Sequence, residues 1–266
     1  GTITSTTSPF TTVTGLPVGV NVFRWTVNNG VCGTTNDQVS IIVFDENNPV
    51  ANAGPDINQC TPFTTVTMAG SAVIAPATGT WTLVSGSGTI VSANSPTTSI
   101  TGLGVGANTF RWSVANGPCG PVTEDLVTIN IFDQNAQPAN AGADQSVCST
   151  SPSVSVSGNA PVGTATGTWS IIQGTGSITN PNAPSTTITG LGVGTVIAQW
   201  SINNGSCGTS TDQLNILVYD DANPVANAGP DQNLCTPNTS TTLAGSTVIA
   251  PAQGTWTLVS GSGVFR

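Results

Sequence analysis

A period of about 88 residues, held almost without drift, constrains this chain more than anything else in it. The hexapeptide Ala51–Asp56 (ANAGPD) returns as ANAGAD at Ala139–Asp144 and as ANAGPD at Ala226–Asp231, steps of 88 and 87 residues. One tryptophan series, Trp25, Trp112 and Trp200, steps by 87 and 88, and the other, Trp81, Trp169 and Trp256, by 88 and 87. The cysteines keep the same spacing, with Cys32, Cys119 and Cys207 in one phase and Cys60, Cys148 and Cys235 in the other. A period this long is a whole domain, not the ~20–45-residue unit of a solenoid.

Cut at constant phase, the chain holds the back half of a repeat (1–48), two whole repeats (49–136 and 137–223) and the front half of another (224–266). Residues 49–88 match 224–263 at 32 of 40 positions, whereas 51–88 match 139–176 at 16 of 38. Copies two apart are therefore closer than neighbours, the mark of a duplicated two-domain unit. Arg266 has the look of a cleavage end, and no charged leader opens the chain, so an export signal is expected to be already removed or never included.

Within a repeat the apolar period is two, not 3.6. Phe110, Trp112 and Val114 alternate with Thr109, Arg111 and Ser113, and Val127, Ile129 and Ile131 continue the pattern. Shorter strands are expected at Val66/Met68, Trp81/Leu83 and Ile100, with Gly-rich and Pro-Thr turns between them. Roughly seven strands per repeat and no helical stripe define an all-β fold: tandem immunoglobulin-like β-sandwich domains in an extended rod. The tryptophans share a face with other apolar residues and are expected in the cores, not on a carbohydrate-binding platform. Arg24 and Arg111 fall on the opposite, solvent face.

Composition excludes whole classes of function. The chain has no histidine, and three Lys+Arg stand against twelve Asp+Glu for a net charge of −9. Catalysis and zinc ligation that need imidazole are impossible, and nucleic acid is excluded as a partner because the phosphate-neutralising cations are missing. No apolar run approaches the ~20 residues of a membrane span. Carboxylates that recur once per domain at linkers do not converge on a cleft, so no enzyme is expected.

The Ala-x-Ala-Gly-Pro-Asp opening, the cysteine that follows, the Asn-Gly-x-Cys hairpin and the Val-x-Ile-x-Val-Phe-Asp closing strand resemble a known class. They are similar to the PKD-like and Ig-like repeats of giant surface adhesins in gliding Bacteroidetes. The Trp-Asp-Phe-Gly-Asp-Gly core of true PKD domains is replaced here by Gly79-Thr80-Trp81-Thr82-Leu83. The resemblance implies an extracellular, cell-surface stalk or filament, exported across the outer membrane and used in adhesion or gliding.

All twelve acids fall in three windows of four, and nine of them occupy repeated positions. Asp45, Asp133 and Asp220 end a closing strand, and Asp37, Asp125 and Asp212 lie near its start. In a head-to-tail array Asp125 would approach Asp45 and Glu46, and Asp212 would approach Asp133. Calcium, which takes six to eight oxygens, would suit Asp45, Glu46, Asn48 and Asp125, with Asp133, Asp212, Asp220 and Asp221 at the following junctions. Acidic, Asn-rich linkers also serve simply as solvated chain.

Without a CxxC motif and in an export-competent setting, the six cysteines point to disulfides. Three pairings are open. Pairing within a repeat, Cys60–Cys119 and Cys148–Cys207, is the expectation carried forward, because it makes each domain self-contained; Cys32 and Cys235 would then find partners outside this chain. Pairing across linkers uses Cys32–Cys60, Cys119–Cys148 and Cys207–Cys235. The third staples neighbours, Cys60 to Cys207, and is favoured by strand directions.

The expected function is structural and adhesive: a stiff, disulfide-reinforced stalk whose partners are further copies of the repeat and, as an adhesion target, surface polysaccharide or another surface component. A filament protomer is the first alternative, each half-domain completing the other in the next copy, with Cys235 of one copy meeting Cys32 of the next. A non-catalytic spacer of a secreted hydrolase is the second.

Overall fold

The computed structural model of the chain describes residues 1–222 and 225–264, which leaves Arg266 and the 223/224 repeat boundary outside the described residues. The chain is all-β and divides into two compact units, residues 1–134 with 205–207, and 135–204 with 208–266.

In the first unit the strongest alternating pattern becomes the strand Gly106–Ala115, which pairs antiparallel with Thr123–Phe132 so that Trp112 faces Asp125 across the ladder. A single 3₁₀ turn, Gly117–Cys119, connects them. Thr78–Ser85 pairs on the other flank and sets Trp81 beside Trp112, while the short opening strand Ile57–Cys60 runs parallel to Thr123–Phe132. A second sheet is built from Val66–Thr67, Ser99–Thr101 and Thr89–Ile90. The seven strands between residues 57 and 132 enclose one core that includes Met68, Trp81, Ile100, Phe110, Trp112, Ile129 and Ile131, all buried.

The two indoles tilt against each other with centroids 5.0 Å apart, and each N–H has a partner: Trp81 donates to the Pro96 carbonyl and Trp112 to Ser71 Oγ. Buried tryptophans need such a partner. Gly79 lies flat under Trp112, where a Cβ would overlap the ring. The arrangement bears out the core reading of both residues.

The second unit repeats this plan. Gln145–Cys148, Thr209–Tyr219, Gly194–Asn203 and Thr166–Gln173 form one sheet; Val154–Ser157, Ser185–Thr189 and Ser177–Ile178 form the other. Trp169 and Trp200 lie 5.1 Å apart at the same tilt in a core with Ile188, Leu214, Ile216 and Val218.

The half-repeats differ. In the first unit, Gly19–Asn28 and Thr34–Val43 make the long hairpin of a sandwich, but Trp25, Val27 and Val39 lie exposed where Trp112, Val114 and Val127 are buried in the complete repeat. Among the described residues of 225–264 there is no strand, and Trp256 and Leu243 are exposed where Trp81 and Met68 are buried. No helix among the described residues is long and apolar enough to cross a membrane.

Candidate functional site

Two devices recur at the same phase of each repeat. The first ties the opening segment to the closing strand. Asp125 Oδ2 accepts the Ala53 N–H at 2.8 Å, and Asp212 Oδ2 accepts the Ala141 N–H at 2.8 Å. From the other side Asp56 Oδ1 accepts the Thr128 N–H at 2.8 Å, and Asp144 Oδ1 accepts that of Asn215 at 2.7 Å. Asn215 Nδ2 also donates to Asp144, and these two bonds, the backbone one foremost, hold the Asp144 carboxyl below its usual range. The ANAGxD hexapeptide thus offers an N–H and a carboxylate to partners about 72 residues along the chain.

These bonds bear on the proposed metal ligands. Asp125 and Asp212 each spend one carboxylate oxygen inside their own repeat. Asn48 Oδ1 accepts the Ile74 N–H at 2.6 Å, Asp45 Oδ1 accepts that of Asn47, and Asp220 Oδ1 that of Ala222. Asp221 hydrogen-bonds Ser149 Oγ, and Glu124 pairs with Arg111 at 3.2 Å on the solvent face. Among the described residues, no three acids, histidines or cysteines gather as a metal ion requires.

The second device is the hairpin turn. At Gly117 the backbone takes φ +52° against the Phe44 ring, leaving no room for a Cβ, while Asn116 Nδ2 donates to the Asp45 carbonyl at 2.7 Å. The same pair recurs one period later. The turn Gly205–Cys207 belongs by its contacts to the first unit, and Gly205, again at φ +52°, leaves no room for a Cβ against Phe132. Cys207 Sγ approaches the Phe132 carbonyl at 3.4 Å and forms a disulfide with Cys60, the two Cα atoms lying 5.2 Å apart.

This corrects the expected pairing. Neither Cys60–Cys119 nor Cys148–Cys207 forms; Cys119 and Cys148 are exposed thiols, as are Cys32 and Cys235. The reason is strand geometry. Cys60 sits opposite Phe132, the last residue of the closing strand Thr123–Phe132, whereas Cys119 sits in the turn just before its first. Ten extended residues hold two such ends about 30 Å apart, and a disulfide needs Cα atoms within about 7 Å. Cys148, opposite Tyr219 at the end of Thr209–Tyr219, is likewise separated from Cys207 before its start. Pairing between neighbouring copies is the one option that brings the ends together.

Two further residue roles have signals in the sequence whose meaning only the fold supplies. Phe44, Phe132 and the Asn-Gly-x-Cys turns repeat with the period, but nothing local says that the aromatic of one copy seats the glycine of the next. Asn108 is buried; its Nδ2 donates to the carbonyls of Gly104, Gly106 and Ile129 while its Oδ1 accepts the Ser87 N–H. It pins the Gly-Leu-x-Val-Gly turn, as Asn21 does through Pro17 and Gly19.

No protein-family model matches the chain. It is 27% identical over 261 residues to the human dyslexia-associated protein KIAA0319, covering 91% of this chain and 24% of that protein. The chain thus spans about a quarter of its curated relative. Among solved structures it is similar to the PKD domain of KIAA 1837 protein, at 24% identity over 35% of this chain and 92% of that one, with a TM-score of 0.29. The PKD domain of human KIAA0319 matches at 20% identity over 35% of this chain and 87% of that one, also at 0.29. Fold and repeat together define tandem Ig-like β-sandwich domains.

Proposed function

We propose that the chain is a load-bearing, adhesive stalk segment of a bacterial surface protein, working outside the cell and taking no part in catalysis. The Cys60–Cys207 disulfide is the observation that carries this reading, because it closes a sequence separation of 147 residues with almost all of two sandwiches inside it. Tension applied at the chain ends passes through the bridge and spares the chain between Cys60 and Cys207, while the strands Ile57–Cys60 and Thr209–Tyr219 stay in the load path. Further copies of the repeat are the structural partners, and the adhesion target is surface polysaccharide or another surface component.

Single-molecule extension from the two termini tests it. The oxidised chain is expected to hold residues 60–207 shut, and reductant to release about 500 Å more contour at ~3.4 Å per residue. Full extension without reductant would overturn the reading.

A further inference from the structure

The chain contains three Asn-Gly dipeptides, Asn29-Gly30, Asn116-Gly117 and Asn204-Gly205, and all three sit at the hairpin turns. This is the dipeptide in which a backbone nitrogen most readily attacks a side chain, because glycine has no Cβ to screen it and ring closure makes a five-membered imide. The turn nevertheless demands both residues. Gly117 stands at φ +52°, which glycine adopts without strain, and a Cβ there would overlap Phe44. Asn116 supplies the Nδ2 that donates to the Asp45 carbonyl at 2.7 Å.

We infer that Asn116-Gly117 is a site of spontaneous deamidation held shut by its seat on Phe44 and Asp45, so that leaving the seat becomes a permanent chemical change. The step balances with water as the only co-reactant. The Gly117 nitrogen bonds to Asn116 Cγ, the bond from Cγ to Nδ2 breaks, and the Gly117 proton leaves with the amide nitrogen as ammonia. Water then opens the cyclic imide at either carbonyl, giving aspartate or isoaspartate.

Three features of the seated turn, all within the first unit, hold this step back. First, Asn116 has φ −105° and ψ 37°. In an L residue that ψ sets the next nitrogen nearly anti to Cβ, so Gly117 N cannot reach Cγ. Rotation about ψ is the soft motion that would bring them together, and it would carry Gly117 away from the Phe44 ring.

Second, the attack places negative charge on Asn116 Oδ1. That atom is buried, and no donor among the described residues reaches it. The developing oxyanion would stand without the hydrogen bonds that such a charge requires.

Third, the nitrogen that must leave is engaged with the Asp45 carbonyl, and the Cys119 N–H closes the turn on the Asn116 carbonyl at 3.1 Å.

Once formed, the product cannot reseat. A carboxylate oxygen in place of Nδ2 would meet the Asp45 carbonyl as acceptor against acceptor. Isoaspartate would add a backbone carbon to a turn that already has no room for a Cβ against Phe44.

The turn one period later is the internal reference, since Gly205 takes the same φ on a different ring, Phe132. The test is incubation of the oxidised chain in mildly alkaline buffer, folded and in urea, with peptide mapping that separates the Asn, Asp and isoAsp forms of each turn. Asn116 is expected to convert at least about tenfold more slowly in the folded chain, because a seat open about a tenth of the time or less slows the step in proportion. Phe44→Ala should remove most of that protection at Asn116 and leave Asn204 unchanged. Confinement to one turn separates loss of the seat from unfolding, which would speed both. Phe44→Leu keeps an apolar side chain at that position and is the second variant, with a smaller rise expected at Asn116 alone.

Conversion of Asn116 as fast in the folded chain as in urea would overturn the inference. Protection that survives both Phe44 substitutions would overturn it too, by assigning the effect to the hairpin itself. So would acceleration shared equally by the two turns in both variants. None of these results touches the stalk reading, which stands on the Cys60–Cys207 bridge.

Discussion

Residues 79–88 and 254–263 are the same ten amino acids, Gly-Thr-Trp-Thr-Leu-Val-Ser-Gly-Ser-Gly, in two different situations. The first lies largely within the strand Thr78–Ser85 with Trp81 1% exposed; the second forms no strand, and Trp256 is 42% exposed. Local propensity is identical, so the strand is made by its partner, the hairpin residue Trp112 and its neighbours. What survives in the unpartnered copy is short-range. Asn52 N–H donates to Ser71 Oγ at 3.1 Å and Asn227 N–H to Ser246 Oγ at 3.1 Å; Gly54 N–H donates to Asn52 Oδ1 and Gly229 N–H to Asn227 Oδ1, both at 2.8 Å. Bonds closed over 19 residues or fewer form in either place, whereas those that reach 72 residues need the second half of the sandwich.

The largest effect that sharpens this contrast comes from the tryptophan pair on the hairpin side. Trp112 is fully buried and Trp25, its equivalent, is 45% exposed. Trp112→Ala is expected to cost about 3–5 kcal/mol, the usual loss for a large aromatic removed from a packed core. Trp25→Ala is expected to cost about 0.5 kcal/mol or less, as for a surface site. Urea denaturation at low protein concentration measures both. Equal costs would break the comparison.

A smaller difference is expected at the repeated aspartates. Removing the side chain in Asp125→Ala strands the Ala53 N–H and should destabilise the first unit by about 1–3 kcal/mol, the range for an orphaned buried donor. Asp37, one copy earlier, accepts only the N–H of the adjacent Gln38 among the described bonds, so Asp37→Ala should change little. If the two variants were equivalent, the bond between Asp125 and Ala53 would contribute nothing.

Most of the fold was legible, because alternation at Phe110, Trp112 and Val114 and its repetition leave few alternatives to a sandwich. The core places of Trp81 and Trp112, and the solvent face of Arg111, followed from the same alternation. The site was less legible. Self-containment of a domain is an argument about parsimony, and it lost to the length of the closing strand, which parts Cys60 from Cys119. That length was written in the sequence; the parallel pairing of Ile57–Cys60 with the far end of the same strand, which turns length into separation, was not. The role of the acids was not legible either. Their period was plain, but a carboxylate that caps a backbone N–H 72 residues away looks, in one dimension, the same as one awaiting a cation.

The smallest expected effect lies at Asp144, and its sign follows from its two Asn215 donors. They stabilise the ionised carboxylate, so its folded pKa is depressed below that of the unfolded chain. A depressed carboxylate contributes stability that is present in full above the unfolded pKa of about 3.9 and is lost as pH falls through the folded value. Asp231 occupies the same place in an unpartnered copy, where no strand offers those donors. The thermal midpoint of the second unit should therefore decline on acidification below about pH 4, and Asp144→Asn should shallow that decline by more than Asp231→Asn does. Equal slopes in the two variants would place the acid sensitivity elsewhere and detach the hexapeptide's aspartate from the closing strand.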